Sequence, residues 1–246
     1  ITPGAPRPVW GYGARHAALS NGVLDPLYAK AVVLEAGTDK IAIVGLDLGR
    51  SPRPDSMEKI RTAVTDKAGV NYVMLVGSHT HHGPVLELKD EPGKGQGKFD
   101  DAVKYVAWLD EQLIDCIVEA AKNTKEARIG WGSKDVDLNR NRHSKVEPKA
   151  RDTELAVVRI DDTDGKPLAI LVNFAAHPTN IPAGTLKYSA EYPGAMRVVV
   201  EEELGTFCAF LQGAAGDMSC KKPEDADDFE KFGALLGREV VEIAKG

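Results

Sequence analysis

The stretch from Tyr28 to Leu48 reads YAKAVVLEAGTDKIAIVGLDL, and the fold follows from how it is parsed. Tyr28–Glu35 and Ile41–Leu48 are rich in β-branched residues, which suit extended backbone. Between them, Ala36-Gly37-Thr38-Asp39-Lys40 carries turn chemistry, so the whole predicts a β-hairpin. Downstream, Asp55 or Ser56 is placed to cap a helix running to about Lys67, with Gly69 to end it. Tyr72–Val76 then reads as a short, wholly apolar strand. A charged, glycine-rich loop follows at Lys89 to Lys98, and after it a long helix from about Asp100 to Asn123. In that helix Val103, Val106, Leu109, Leu113, Ile117 and Ala120 recur at three- and four-residue steps. Upstream, Pro3, Gly4, Pro6, Pro8, Gly11 and Gly13 predict an irregular, turn-rich entry.

The second half continues the alternation. A strand is expected near Arg128–Val136, then a basic loop from Asn139 to Arg151. Glu154–Ile160 and Leu168–Phe174 flank Asp161-Asp162-Thr163-Asp164-Gly165, a second hairpin signal. Pro193 suits the first turn of a helix that reaches Leu204 before Gly205. Thr206–Leu211 is a further apolar strand, Gly213-Ala214-Ala215-Gly216 a small-residue loop, and about Ala226 to Lys245 a last helix. Alternating strands and helices with two hairpins predict an α/β (mixed α+β) architecture. It would have mixed β-sheets flanked by helices in a single large domain, residues 1–246.

Composition narrows the function classes. The 246 residues include 31 Lys+Arg and 37 Asp+Glu, a net charge of −6. Nucleic-acid binding needs clustered basic residues, so no nucleic-acid partner is expected. The longest apolar runs, Tyr72–Val76 and Leu168–Val172, fall far short of the ~20 residues of a membrane-spanning helix, so none is expected. Cys116, Cys208 and Cys220 form no C-x-x-C pair and are too few for a disulfide framework. Cys116 and Cys208, in a helix and a strand, read as free buried thiols. Oligomeric state is not encoded in any of these features.

Chemistry concentrates in loops that leave strand ends, where ligand sites of α/β sheets gather. Gly77-Ser78-His79-Thr80-His81-His82-Gly83-Pro84 holds three of the six histidines. His79 and His81, two apart, point the same way in extended backbone and can reach one centre; a solvated polar loop is the other reading. In Asn173-Phe174-Ala175-Ala176-His177-Pro178-Thr179 a lone His177 follows another apolar strand, as a ligand or as a hydrogen-bonded structural histidine. A catalytic zinc takes about three protein ligands, of which the histidines supply two or three. The third loop, Leu211-Gln212-Gly213-Ala214-Ala215-Gly216-Asp217-Met218-Ser219, lets backbone approach a ligand and offers a carboxylate and a hydroxyl. It lacks the ending of a P-loop and the G-x-S-x-G of a nucleophile elbow, and a tight connection is the plain alternative. Asn139-Arg140-Asn141-Arg142-His143 can clamp a carbonyl or carboxylate, or be a solvated charge run.

Taken together, SHTHHGP, LNRN, FAAHPT followed by YSAEYPG, and QGAAGDMS resemble, in that order, the neutral/alkaline ceramidases. The opening GYGARHAALSNGVLDPLYAKAVVLEAG is similar to the start of that family too, so the resemblance spans essentially the whole chain. It implies a Zn2+-dependent amidase, secreted or periplasmic, that splits the N-acyl bond of ceramide into sphingosine and fatty acid. By the same resemblance His79 and His177 match the zinc-binding histidines. His81 matches the second histidine of H-T-H, which handles protons or substrate beside the metal. Arg140 matches the arginine of the N-R motif, with Arg142 the alternative if the loop is shifted. Ser219 matches the serine of G-D-x-S. His82 and Cys220 replace the family's usual serine and proline.

The family draws a Glu and a Tyr ligand from a region well beyond G-D-x-S. Either this chain is truncated at its C-terminal end, or Asp47, Glu191 or Asp217 substitutes. The expected substrate is a lipid amide or a small-molecule amide. The same scaffold would also serve a hydrolase of smaller amides, esters or lactones, or a catalytically incomplete metal-binding domain.

Overall fold

The computed structural model describes residues 1–15, 18–87 and 100–246. The Lys89–Lys98 loop therefore lies outside the described residues. The fold is mixed α+β, and the chain divides into two compact units.

The first unit comprises Ile1–Gly77, His81–Thr124 and Ala183–Ser189. Strand β1 (Ala29–Ala36) pairs antiparallel with β2 (Asp39–Leu46), the register closing at Ala36 opposite Asp39 as the hairpin reading requires. Helix α1 (Pro54–Ala68) then carries the chain across to β3 (Tyr72–Gly77), which lies parallel to β2 at the edge of a β1-β2-β3 sheet. The apolar β3 buries one face only: Val73 and Leu75 are inside, whereas Tyr72 and Met74 are exposed. The expected cap of α1 is displaced. Arg53 occupies the N-cap with no side-chain bond and Pro54 opens the first turn. The Ser56 hydroxyl instead donates to Asp110 Oδ2 at 3.1 Å on α2 (Asp100–Lys122). Helix α2 buries Val106, Leu109, Leu113, Ile114 and Ile117 in a core shared with Val44, Leu46, Ile60 and Val64.

The second unit comprises Ser78–Thr80, Lys125–Pro182 and Ala190–Gly246. Its main sheet runs β4-β6-β7-β8, from β4 (Ala127–Asp135), β6 (Glu154–Asp162), β7 (Pro167–Phe174) and β8 (Phe207–Gln212). The β6–β7 pair is the second hairpin, and β8 returns parallel to β7 through α3 (Glu191–Leu204). Helix α3 and the last helix, α4 (Phe229–Lys245), share one core with the sheet: Tyr192, Met196 and Val200 with Phe232, Leu236 and Val240 meet Val157, Ile170, Val172 and Phe210. The two helices cross closely at Gly233, where a Cβ would lie 2.6 Å from the Tyr192 carbonyl oxygen. Helix α4 starts three residues later than its apolar pattern suggests. Asp228 takes the N-cap and accepts the Lys231 amide, ending a separate 3-10 turn at Glu224–Ala226.

One element was not foreseen. Within the basic loop, β5 (Asn139–Asn141) forms a two-stranded ladder with β9 (Met218–Cys220), aligning Asn139 with Cys220, Arg140 with Ser219 and Asn141 with Met218. This ladder brings the N-R-N and G-D-x-S segments together.

Candidate metal centre

In the second unit the chain leaves β7 at Phe174 and reaches His177 through a loop whose carbonyls are held one by one. Gly213 N donates to the Phe174 oxygen at 3.0 Å. Asn139 Nδ2 donates to the Ala175 oxygen at 2.8 Å, and Tyr192 Oη to the Ala176 oxygen at 2.7 Å. The Cys220 thiol points its Sγ at the His177 oxygen, 3.6 Å away, while the His177 amide donates to Met218 O at 3.1 Å. A loop with its backbone groups satisfied this way presents its side chain in one orientation, which is what a ligand position needs.

The His177 ring is oriented as firmly. Its Nδ1 lies 2.9 Å from Ala215 O. A carbonyl only accepts, so the neutral tautomer making this bond carries its proton on Nδ1 and its lone pair on Nε2. Arg142 Nη2 donates to Gly216 O at 2.9 Å and stands 3.3 Å from the same Nδ1. Burial lowers the His177 pKa from its ordinary 6.5; the bond to Ala215 opposes this, and His79, Arg142 and His143 add to the lowering. The neutral imidazole, the form that binds metal, is the one favoured.

His79 lies opposite, in the short stretch Ser78–Thr80. Its backbone takes a left-handed conformation, φ 67°, uncommon for a residue with a Cβ and frequent at functional sites. The rings of His79 and His177 meet edge to face with centroids 4.4 Å apart. Two residues further along the same loop stands His81. Imidazole nitrogens on a tetrahedral zinc, at bonds of 2.0–2.1 Å, sit about 3.4 Å apart. Two imidazoles, one of them aimed by a carbonyl, suit a divalent transition ion such as zinc.

Arg140 and Ser219 lie opposite each other on the β5–β9 ladder. Asn139 and Asn141 are buried, so strand alternation turns Arg140 outward, and its side chain is exposed. Ser219 is half-buried, opposite Arg140, and its backbone forms a bridge with His177. The three carboxylates considered as substitute ligands have other partners. Asp47 accepts the Tyr28 amide, Glu191 the amides of Ile181 and Tyr192, and Asp217 the Asn141 side chain. None joins the histidine group among the described residues. The supporting residues Asn139, Tyr192 and Ala215 gave little sequence signal, because each acts through a backbone group or on one.

No family model matches the chain. Among solved structures, it is similar to a ceramidase described as complexed with C2, with a TM-score of 0.80 and 22% identity over 98% of this chain. It is also similar to the neutral ceramidase of Pseudomonas aeruginosa, with a TM-score of 0.77 and 22% identity over 97% of this chain. In both cases the match covers 42% of the other protein, so this chain spans less than half their length. The fold is therefore that of the neutral ceramidases.

Proposed function

We propose, taking the ceramidase fold as premise, that this chain is a zinc-dependent hydrolase acting on an N-acyl amide bond. Its substrate would be a ceramide-like lipid, released as a sphingoid base and a fatty acid by attack of water. The observation that carries this reading is the edge-to-face meeting of the His79 and His177 rings. A zinc ion held there would supply a Lewis acid and lower the pKa of water from 15.7 to about 7.

The chain's own residues divide the remaining work. His79 and His177 would hold the metal, His177 through Nε2, the ring nitrogen on the far side from Ala215 O. Arg142, fixed on Gly216 O, sets a positive charge beside the centre and steadies the oxyanion that develops on the amide carbonyl. Arg142, whose Nη2 lies 3.3 Å from His177 Nδ1, takes the oxyanion role in place of Arg140, the arginine first matched by motif. His81, the buried second histidine of H-T-H, moves the proton that leaves the water and reaches the departing amine. Ser219, next to His177 through its bridge, contacts substrate rather than attacking it. No helix among the described residues is long and apolar enough to cross a membrane; a secreted or periplasmic setting is part of the same proposal.

The test is zinc content by elemental analysis together with hydrolysis of a labelled ceramide and of a short N-acyl amine. Wild-type chain is expected to carry zinc and to cleave the ceramide faster, and His79→Ala and His177→Ala to lose both metal and turnover. Zinc and hydrolysis retained in both variants would overturn the assignment. Among the described residues no carboxylate joins the histidines, which favours one second reading, a metal-holding domain without turnover. Bound zinc with neither substrate cleaved would select it.

A further inference from the structure

Arg15 is a buried cation with no carboxylate against its guanidinium among the described residues. It is 8% exposed, at the end of a 3-10 turn, Gly13–Arg15. Its Nη1 donates to Ala183 O at 2.7 Å and Thr185 O at 2.9 Å, and lies 3.4 Å from His82 Nε2. Its Nη2 donates to Trp10 O at 3.1 Å and to the carbonyl oxygen of His81. The guanidinium carbon also sits 4.6 Å above the centre of the Tyr12 ring. Four carbonyls from three stretches of chain thus converge on one planar fork. Taking such a group out of water is costly, so a fold that retains it uses its geometry.

What that geometry holds is the residue at the middle of the turn. The His81 ring is met edge-on by Trp10, centroids 5.1 Å apart, and by Tyr12, at 4.8 Å. Between the two aromatics, Gly11 has φ 112°, and a Cβ there would fall 2.5 Å from His81 Cβ and Cγ. The backbone of the entry segment can therefore lie against His81 only because residue 11 has no side chain. We infer that Trp10–Arg15 is a clamp for the His81 imidazole: Trp10 and Tyr12 bracket the ring, Gly11 allows their approach, and Arg15 is the positioning residue that ties the His81 carbonyl to Trp10. This rests on the proposal that His81 moves the reaction's proton. It adds that the residue's alignment is imposed from the start of the chain, about 70 residues upstream, by a group that touches neither metal nor substrate.

Lysine cannot take over the role, because a single ammonium does not reproduce a fork that engages four carbonyls. In the full chain, Arg15→Lys is expected to keep its zinc and its KM for labelled ceramide while kcat falls about 10- to 100-fold, the cost of a slightly misplaced group. Introduced into His81→Ala, the same change is expected to add no further loss of kcat. In metal-free protein, the 15N imidazole signals of His81 are expected to shift in Arg15→Lys and in Gly11→Ala, with those of His143 unmoved. Equal losses of kcat with and without His81 would mean a general structural role and overturn the inference. So would unshifted His81 signals in both variants. Because the imidazole measurement needs neither zinc nor turnover, it decides the clamp even if the hydrolytic reading fails, and Gly11→Ala serves if Arg15→Lys does not fold.

Discussion

Arg140 lies in β5 and Arg142 just past its end, and among the described residues it is Arg142 that stands beside His177, Nη2 3.3 Å from Nδ1. The expected outcome is that Arg142→Ala lowers kcat for the labelled ceramide by about 10²–10³, as removal of an oxyanion-stabilising group does, while Arg140→Ala stays near wild type. Steady-state kinetics on the two variants separates the assignments, and equal losses would return the role to Arg140. The motif alone could not choose between them. Which arginine turns inward depends on the ladder between β5 and β9, and three-residue strands without apolar alternation leave no periodic trace. His79, His81 and His177, by contrast, were legible, because imidazoles crowded at the ends of apolar strands have few other uses.

Among the elements, hairpins and long helices were legible because turn chemistry and apolar spacing are both local. The start of α1 was not, since Ser56 trades its capping position for a bond to another helix. That bond meets a buried carboxyl. Burial raises the pKa of Asp110 above its ordinary 3.8, while the Ser56 hydrogen bond and the Lys59 charge pull it down. Folded protein thus holds this proton more tightly than unfolded chain does. Stability falls as pH climbs from 3.8 through the folded-state value, and the cost is fully present at neutrality. Asp110→Asn is therefore expected to raise the thermal midpoint at pH 7 by about 2–4 °C, the shift that ~1 kcal/mol produces in a chain of this size. Calorimetry from pH 7 down to about 4 checks it: the gain is expected to shrink to nothing at the acid end, and a gain independent of pH would count against the buried charge.

For the whole molecule, the balance of 37 acidic against 31 basic residues gives a further expectation. Mobility-shift experiments at about 0.15 M salt should show no retardation of duplex DNA, because too few phosphates would be neutralised. Fold class was legible at this scale from the order of elements, whereas the grouping of segments into units was not. Ser78–Thr80 belongs to one unit although the residues on either side belong to the other, and Ala183–Ser189 is exchanged in the opposite sense. Such short loans of chain are invisible to composition and periodicity. Their consequence is for dissection of the chain: a fragment running from Lys125 to Gly246 would carry His177 but leave His79 behind with the sequence of the first unit.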